Sequence, residues 1–323
     1  MCIKKIIRLF KKMEKGKENN HGIVEADTSI NKSINNSNTG DTKTADTKIN
    51  EFRNNLLSAE EVTENSKKYL GRVIAIANQK GGVGKSTTAV NMSSYMGDSG
   101  YKTLLIDLDP QNNSTSGLGI TRDQVNITIY NIIISNEDPK KAIIKTPFKN
   151  LFIIPSSIQL AGAEVELVST LKREYKLQHA LDSIRHEFDF IIIDCPPALG
   201  LLTINALTGA NEVLIPIQCE YYALEGLGQL INTINLVREN LNEKLIITGV
   251  VMTMFDQRTK LSEQVIDEVR AYFPEKVYGT IIPRNIRLSE APSYGKPILE
   301  YDPDCKGAIA YKNLTKEVIG NGK

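Results

Sequence analysis

Residues 80–87, which read KGGVGKST, constrain this chain more than any other segment. They directly follow the apolar run 73–77, and an apolar strand, a glycine-rich turn and a helical pattern are the parts of a phosphate-binding loop. In such a loop the glycines let backbone N–H groups turn toward a phosphate, and the helix N-terminus adds the positive end of its dipole. The sequence therefore predicts a nucleotide site at the start of a βα unit.

The two ends of this loop differ in how well they fit the usual pattern. Lys85 is placed to hold the β- and γ-phosphates, and Ser86 to bind Mg²⁺ through its hydroxyl. The pattern G-x-x-x-x-G-K-[ST] nevertheless fails, because Gln79 stands at its first glycine and a second lysine lies inside the loop. The predicted cofactor-binding residues of this segment are Gln79, Lys80, Gly81, Gly82, Val83, Gly84, Lys85, Ser86 and Thr87.

Composition excludes several classes of protein. A hydrophobic fraction of 41% and a charged fraction of 24% are typical of a globular protein, and a net charge of +1 means that any basic surface must be local. The four cysteines lack C-x-x-C spacing, which indicates neither a zinc site nor a disulfide framework and favours reduced thiols in the cytoplasm. No run reaches the ~18 apolar residues of a membrane-spanning helix.

The first 70 residues form an extension of different composition. Residues 1–13 alternate Ile, Phe and Met with Lys and Arg, which predicts a basic amphipathic helix that is either a frayed tail or a weak contact with an anionic membrane. Residues 18–50 are rich in Asn, Thr, Lys and Asp, so we expect them to be disordered. The folded pattern starts abruptly near Leu70, which leaves open whether translation starts there or at Met1.

From residue 72 onward, apolar runs alternate with helical patterns. Most of the runs are continuous Ile, Val and Leu, which suits strands that are covered on both faces. We therefore predict an α/β fold over 71–323, a doubly wound and mostly parallel sheet with helices on both faces. The predicted strands are 73–77, 103–107, 151–155, 190–194, 212–217, 245–253 and 277–283.

Carboxylates stand at the ends of two of these predicted strands. Asp194 ends the run FIIID, a Walker B pattern whose carboxylate would hold Mg²⁺ through water, although a strand-terminal Asp can also act only as a cap. Asp107 and Asp109 are two residues apart and so share a face of an extended segment. Asp109 lies beyond the strand end and is better placed to orient an attacking water; Asp107 suits a structural or metal-shell role.

Five segments together resemble one known family. ANQKGGVGKSTT, LIDLDPQNNSTSGLG, IIIDCPPALGLLTINAL, PIQCEYYALEGL and IPRNIRLSEAPSYGKPI are similar to the ParA/Soj family of partitioning ATPases, which carry a deviant Walker A loop. The resemblance runs from about residue 71 to 319 and is closest to the chromosomal type. It implies an ATP hydrolase of weak basal activity that needs ATP and Mg²⁺ and forms a homodimer around two ATP molecules.

The resemblance also implies roles for individual residues. Lys80 would reach across to the nucleotide of the partner, and Asp109 would activate water, so that Lys80, Lys85 and Asp109 form the catalytic set. Pro283 and Asn285 would lie near the adenine. Gly81 would lie at a crowded dimer interface, where only a residue without Cβ fits.

Basic residues recur after 245–253 and in the last segment of the chain. From composition alone, a solvated basic face is the expected interpretation. The resemblance implies instead that Arg258 and Arg287 contact double-stranded DNA without sequence preference in the ATP-bound dimer. It further implies a ParB-type centromere-binding partner that stimulates hydrolysis, and a location on the nucleoid.

Two other functions share the loop chemistry. A MinD-like, membrane-associated regulator of division-site placement would carry a basic amphipathic helix at its C-terminus, whereas 312–323 is short and weakly apolar. An electron-transfer reductase similar to the nitrogenase iron protein would need cysteines that bridge a cluster between subunits. Cys195 and Cys219 follow apolar strands and resemble small buried hydrophobic residues instead.

Overall fold

A computed structural model of the chain describes residues 71–220 and 226–320. The predictions for the N-terminal extension, including the amphipathic segment 1–13 and the disordered segment 18–50, lie outside the described residues. Within the described ranges, no helix combines the length and the apolar character that crossing a membrane requires.

The strands of the described residues form one sheet in the order β3-β4-β2-β5-β1-β6-β7. Every neighbouring pair in it is parallel except β3 with β4. This confirms the predicted doubly wound, mostly parallel sheet. The strands are β1 (Arg72–Ile76), β2 (Thr103–Asp107), β3 (Ile144–Lys145), β4 (Leu151–Ile154), β5 (Phe190–Asp194), β6 (Glu212–Gln218) and β7 (Ile246–Thr253).

Helices and short 3₁₀ turns connect these strands. The α-helices of the described residues are α1 (Lys85–Asp98), α2 (Asn113–Gly117), α3 (Ile129–Ser135), α4 (Leu160–Leu167), α5 (Lys176–Ile184), α6 (Leu201–Gly209), α7 (Leu227–Asn240), α8 (Lys260–Tyr272), α9 (Ile286–Glu290), α10 (Ile298–Tyr301) and α11 (Lys306–Gly320).

Both faces of the sheet are covered. Along β1, Val73 and Ala75 belong to one apolar cluster, with residues of α5 and α6, whereas Ile74 and Ile76 belong to a second cluster, with residues of α1 and α11. Successive side chains of a strand point to opposite faces, so a strand between two helix layers must be apolar at every position. This requirement explains the continuous apolar runs of the sequence.

The prediction of a seventh strand over residues 277–283 is wrong. Two isolated parallel bridges tie this segment to β7 and to the loop after it, but no ladder forms. Between the bridges, the N–H groups of Gly279 and Thr280 donate to the carboxylate of Glu317 on α11, at 2.8 and 2.9 Å. A side chain from a distant helix therefore takes the hydrogen bonds that a strand partner would need. The short antiparallel strand β3 was not predicted.

The sheet brings its polar strand ends to one edge. Asp194 at the end of β5 is in register with Asp107 on β2 and with Ile76 on β1, immediately before the glycine-rich loop. Parallel strands share the edge where their carboxyl ends meet, and ligands of such folds bind there. The positions of the motifs thus follow from the topology.

Candidate nucleotide site

The glycine-rich loop adopts a conformation that requires glycine at two positions. Gly82 and Gly84 have φ angles of 74° and 89°, in the left-handed region, and Gly84 is the N-cap of α1. A Cβ at Gly82 would meet no atom within 4 Å, so the backbone there faces open space. The first N–H groups of α1 have no acceptor inside the helix, and such groups can bind a phosphate.

Side chains at the ends of β1 and β7 hold the loop in place. The Asn78 amide donates to the carbonyl of Pro216 on β6 at 2.7 Å and accepts from the Lys80 N–H at 3.0 Å. The Thr253 hydroxyl donates to the Val83 carbonyl at 2.8 Å. Neither residue was predicted from the sequence; a polar residue at the end of an apolar strand or just after it is the signal that could have found them.

Lys85 is a buried cation with little compensation from the protein. Its ammonium donates to the carbonyl of Lys80 at 3.1 Å, which closes the loop around it. Burial lowers the pKa of Lys85, while the nearby charges of Asp194 and Asp109 act in the opposite direction. A buried ammonium beside open backbone N–H groups is an environment that an anionic ligand would stabilise.

The acidic side of the site contains an unpaired oxygen. Asp194 is fully buried; the Ser114 hydroxyl donates to its Oδ2 at 2.7 Å, whereas its Oδ1 has no hydrogen-bond partner. Burial raises the pKa of Asp194, and hydrogen bonds from Ser114 and Ser86 oppose that shift. A buried carboxylate oxygen without a partner, beside a serine hydroxyl, fits a Mg²⁺ ion bound through water.

Asp107 is used in organising the segment after β2. Its carboxylate accepts from the N–H and the hydroxyl of Thr115, at 2.8 and 2.7 Å, and from the N–H of Asp109 at 3.2 Å. Ser156 extends the network, since its N–H donates to the Thr115 hydroxyl and its own hydroxyl donates to the Asp109 carbonyl. These bonds support the structural interpretation of Asp107 and fix the backbone that carries Asp109.

A cavity of about 610 Å³ opens in front of the loop. Most of the predicted site residues line it: Gly81, Gly82, Gly84, Lys85, Ser86, Thr87, Asp109, Pro283 and Asn285. Four of the residues predicted to bind the nucleotide or the metal do not line the cavity, namely Gln79, Lys80, Val83 and Asp194. Val83 is buried, and its carbonyl accepts the hydrogen bond from the Thr253 hydroxyl. The buried Oε1 of Gln79 has no hydrogen-bond partner.

Lys80 does not line the cavity of its own chain. Its Nζ lies 3.7 Å from Oε2 of Glu220, the second residue after β6, and the Oε1 of the same carboxylate lies 3.5 Å from Arg284. A Cβ at Gly81 would meet only the Cβ of Pro197, at 4.0 Å, so this chain alone does not require glycine there.

The two arginines predicted to bind DNA lie outside this cavity, and both are paired with carboxylates. Arg258 makes two hydrogen bonds with Asp256, at 2.9 and 2.6 Å, and they hold the pKa of that carboxyl well below its usual range. Arg287 lies 2.9 Å from Glu290 and 3.3 Å from Asp302. Arg258, Arg284 and Lys306 line a second pocket of about 300 Å³.

A parallel sheet that places a glycine-rich loop and a buried lysine at one cavity, with the buried carboxylate of Asp194 near that lysine, defines a P-loop nucleotide-binding protein. A family model described as an AAA domain matches residues 71–247. The chain is 56% identical to the sporulation initiation inhibitor protein Soj of Bacillus subtilis over 253 residues, which are 78% of this chain and all of that protein. It is 49% identical to the chromosome-partitioning ATPase Soj of Treponema pallidum over 250 residues, 77% of this chain and 98% of that one. The chain belongs to the ParA/Soj family of chromosome-partitioning ATPases.

Solved structures agree with this assignment. A cobyrinic acid a,c-diamide synthase from Mycobacterium smegmatis, solved with an ATP analogue and magnesium, superposes with a TM-score of 0.67 at 36% identity, over 76% of this chain and 93% of that one. The cell-division ATPase MinD of Pyrococcus furiosus gives a TM-score of 0.62 at 27% identity, over 77% and 99%. The relation to MinD is thus more distant than that to Soj, which favours partitioning over the MinD-like alternative.

Proposed function

We propose that the protein is an ATP-dependent, dimerising switch that binds DNA without sequence preference and drives chromosome or plasmid partitioning. The position of Lys80 carries this proposal. The cavity has its own buried lysine, Lys85, while the second lysine of the same loop does not line the cavity and is paired with Glu220. We infer that Lys80 acts on the nucleotide of another subunit.

The residues around the cavity fit ATP and Mg²⁺. Lys85 and the N–H groups of the loop would hold the phosphates, while Ser86 directly and Asp194 through water would hold the metal. Pro283 and Asn285, which also line the cavity, would contact the adenine. Bound Mg²⁺ would neutralise part of the negative charge of the phosphates.

Hydrolysis would be achieved by positioning and charge. The carboxylate of Asp109 lies on the cavity wall and would orient the attacking water, and the partner's lysine at position 80 would complete the positive environment of the phosphates. A single subunit lacks that second lysine, so we expect weak basal turnover. ATP binding would therefore favour the dimer, and hydrolysis would return monomers.

Arg258 and Arg287 would bind DNA phosphates in the dimer. Contacts with phosphate and none with bases give binding that is independent of sequence and steeply dependent on salt. A ParB-type centromere-binding protein would stimulate hydrolysis, and the protein would act in the cytoplasm on the nucleoid. The names of the relatives, which include chromosome-partitioning proteins, support this role.

Two measurements test the proposal. ATP turnover should be slow for the protein alone and rise when both duplex DNA and the ParB-type partner are added. ATP-dependent DNA binding should weaken in Arg258→Ala and in Arg287→Ala, with the slope of log affinity against log salt reduced by about one each. Turnover that ignores both additions, together with unchanged DNA binding in both variants, would contradict a partitioning switch.

A further inference from the structure

Glu220 connects the nucleotide site to the basic surface. It is the second residue after β6, and its carboxylate faces two cations: Oε2 lies 3.7 Å from the Lys80 ammonium and Oε1 lies 3.5 Å from the Arg284 guanidinium. The side-chain amide of Gln218 also donates to Oε1 and so fixes the direction of the carboxylate. The three neighbours come from the glycine-rich loop, from β6 and from the segment before α9.

The backbone of Lys80 is fixed at both ends, which leaves only its side chain to change partner. Its N–H donates to Asn78 and its carbonyl accepts from the ammonium of Lys85. The loop therefore presents Lys80 in one place, and the carboxylate of Glu220 decides where the ammonium lies. The two side chains are 34% and 45% exposed, so the ion pair is weak enough for a phosphate to displace it.

We propose that Glu220 is a positioning residue for Lys80, which keeps the lysine on its own subunit until the nucleotide of a second subunit competes for it. The inference rests on the proposed function, since it assumes that Lys80 acts across a dimer. Each dimer must release two such lysines, one from each subunit, so any effect of Glu220 on pairing is doubled in free energy. Glu220 thereby makes dimerisation of the ATP-bound subunits less favourable.

The first test compares Glu220→Gln with the unaltered protein by sedimentation, in the presence of Mg²⁺ and a non-hydrolysable ATP analogue. Gln keeps the shape of the side chain and removes its charge. From the usual strength of exposed ion pairs, doubled, we expect the dimer dissociation constant to fall roughly three- to tenfold. Because Arg284 pairs with Glu220 and also lines the nucleotide cavity, the comparison is made at saturating nucleotide. Glu220→Asp should restore much of the original value. Glu243→Gln, which removes an exposed carboxylate from a turn, is the matched control.

A second measurement uses the ADP-bound monomer and does not depend on pairing. Acetylation of Lys80 by a small reagent, followed by mass spectrometry, reports how often its ammonium is free. In Glu220→Gln we expect roughly two- to fivefold faster labelling of Lys80, with other exposed lysines unchanged.

The outcomes separate the two proposals. If the unaltered protein forms no dimer with the ATP analogue, the proposed function fails, and the inference falls with it. If the unaltered protein pairs but Glu220→Gln pairs equally or more weakly, only the role of Glu220 is overturned. Unchanged labelling of Lys80 in the monomer would likewise overturn it, because the carboxylate would then not hold the lysine.

Discussion

Asp107 and Asp109 show how two identical side chains, two positions apart, take different tasks. Asp107 is fully buried and accepts three hydrogen bonds, whereas Asp109 lies on the cavity wall, where its Oδ1 accepts from the N–H of Gln111 at 2.9 Å. Their spacing placed both on one face, and the position of Asp109 beyond the strand end favoured it for orienting water. Two of the three donors to Asp107 belong to Thr115, and a contact eight residues along the chain is not visible in the spacing of the carboxylates.

Substitution of Asp109 by Asn should separate binding from chemistry. The amide keeps the shape of the side chain and its acceptor for Gln111, but it orients water less well and cannot take a proton. We expect ATP turnover to fall by a factor of roughly 10² to 10⁴, in the range of general-base contributions, with nucleotide affinity changed by less than about threefold. The measurement is single-turnover hydrolysis beside equilibrium binding of a fluorescent ATP analogue.

Asp123→Asn is the control for this experiment. Asp123 is exposed in the 3₁₀ turn Arg122–Gln124 and does not line the cavity. It should leave both turnover and affinity unchanged. Near-normal turnover in Asp109→Asn would remove Asp109 from the catalytic set and direct attention to water positioned by the backbone.

At the scale of elements, the sequence predicted strands well where both faces are buried. Six of the seven predicted runs form strands whose ends differ from the prediction by one residue at most, because a strand between two helix layers needs apolar residues at every position. The predicted strand 277–283 does not form, since Glu317 on α11 takes the N–H groups of Gly279 and Thr280. Whether such a run forms a strand thus depends on contacts between segments that are far apart in sequence, which the local pattern does not contain.

Packing of α11 against α1 depends on a buried hydrogen bond beside the site. The Tyr311 phenol lies 3.1 Å from the Thr88 hydroxyl, and burial raises the pKa of Tyr311 from 10.0 to about 12. The unfolded chain therefore loses this proton first as the pH rises, so the folding stability that Tyr311 contributes decreases from about pH 10 through pH 12. Below pH 10 the phenol is neutral in both states and this contribution is complete.

Tyr311→Phe should lower the free energy of unfolding at pH 7 by about 1 kcal/mol, because the Thr88 hydroxyl loses its partner. Between pH 9 and pH 11 the unaltered protein should lose about 1 kcal/mol more stability than the variant, since only it carries the phenol. Urea unfolding at the three pH values provides the measurement. Tyr294→Phe, at an exposed phenol, should keep the original pH dependence; equal pH dependence in Tyr311→Phe would contradict the assignment.

At the scale of the whole molecule, the three cations proposed to act on a partner subunit or on DNA are each held by a carboxylate. Arg258 is paired with Asp256, Arg287 with Glu290 and Lys80 with Glu220. A protein with a net charge of +1 can keep a basic surface this way without a strong field around the rest of the molecule. The position of Glu220 beside Lys80 follows from the sheet order, which places β6 next to β1.

The pairing of Arg287 sets how readily it can bind a phosphate, and Glu290→Gln should show this. The amide oxygen can still accept the hydrogen bond that the Tyr301 hydroxyl now donates to the carboxylate, so the local structure should persist. The guanidinium loses its main ionic competitor, and we expect ATP-dependent affinity for duplex DNA to rise roughly two- to fivefold at 100 mM salt. Glu300→Gln makes the same change in net charge at an exposed position of α10, and it should raise affinity less. Titration of labelled duplex by fluorescence anisotropy decides the matter: an equal rise in both variants would mean that net charge, and not the release of Arg287, governs binding.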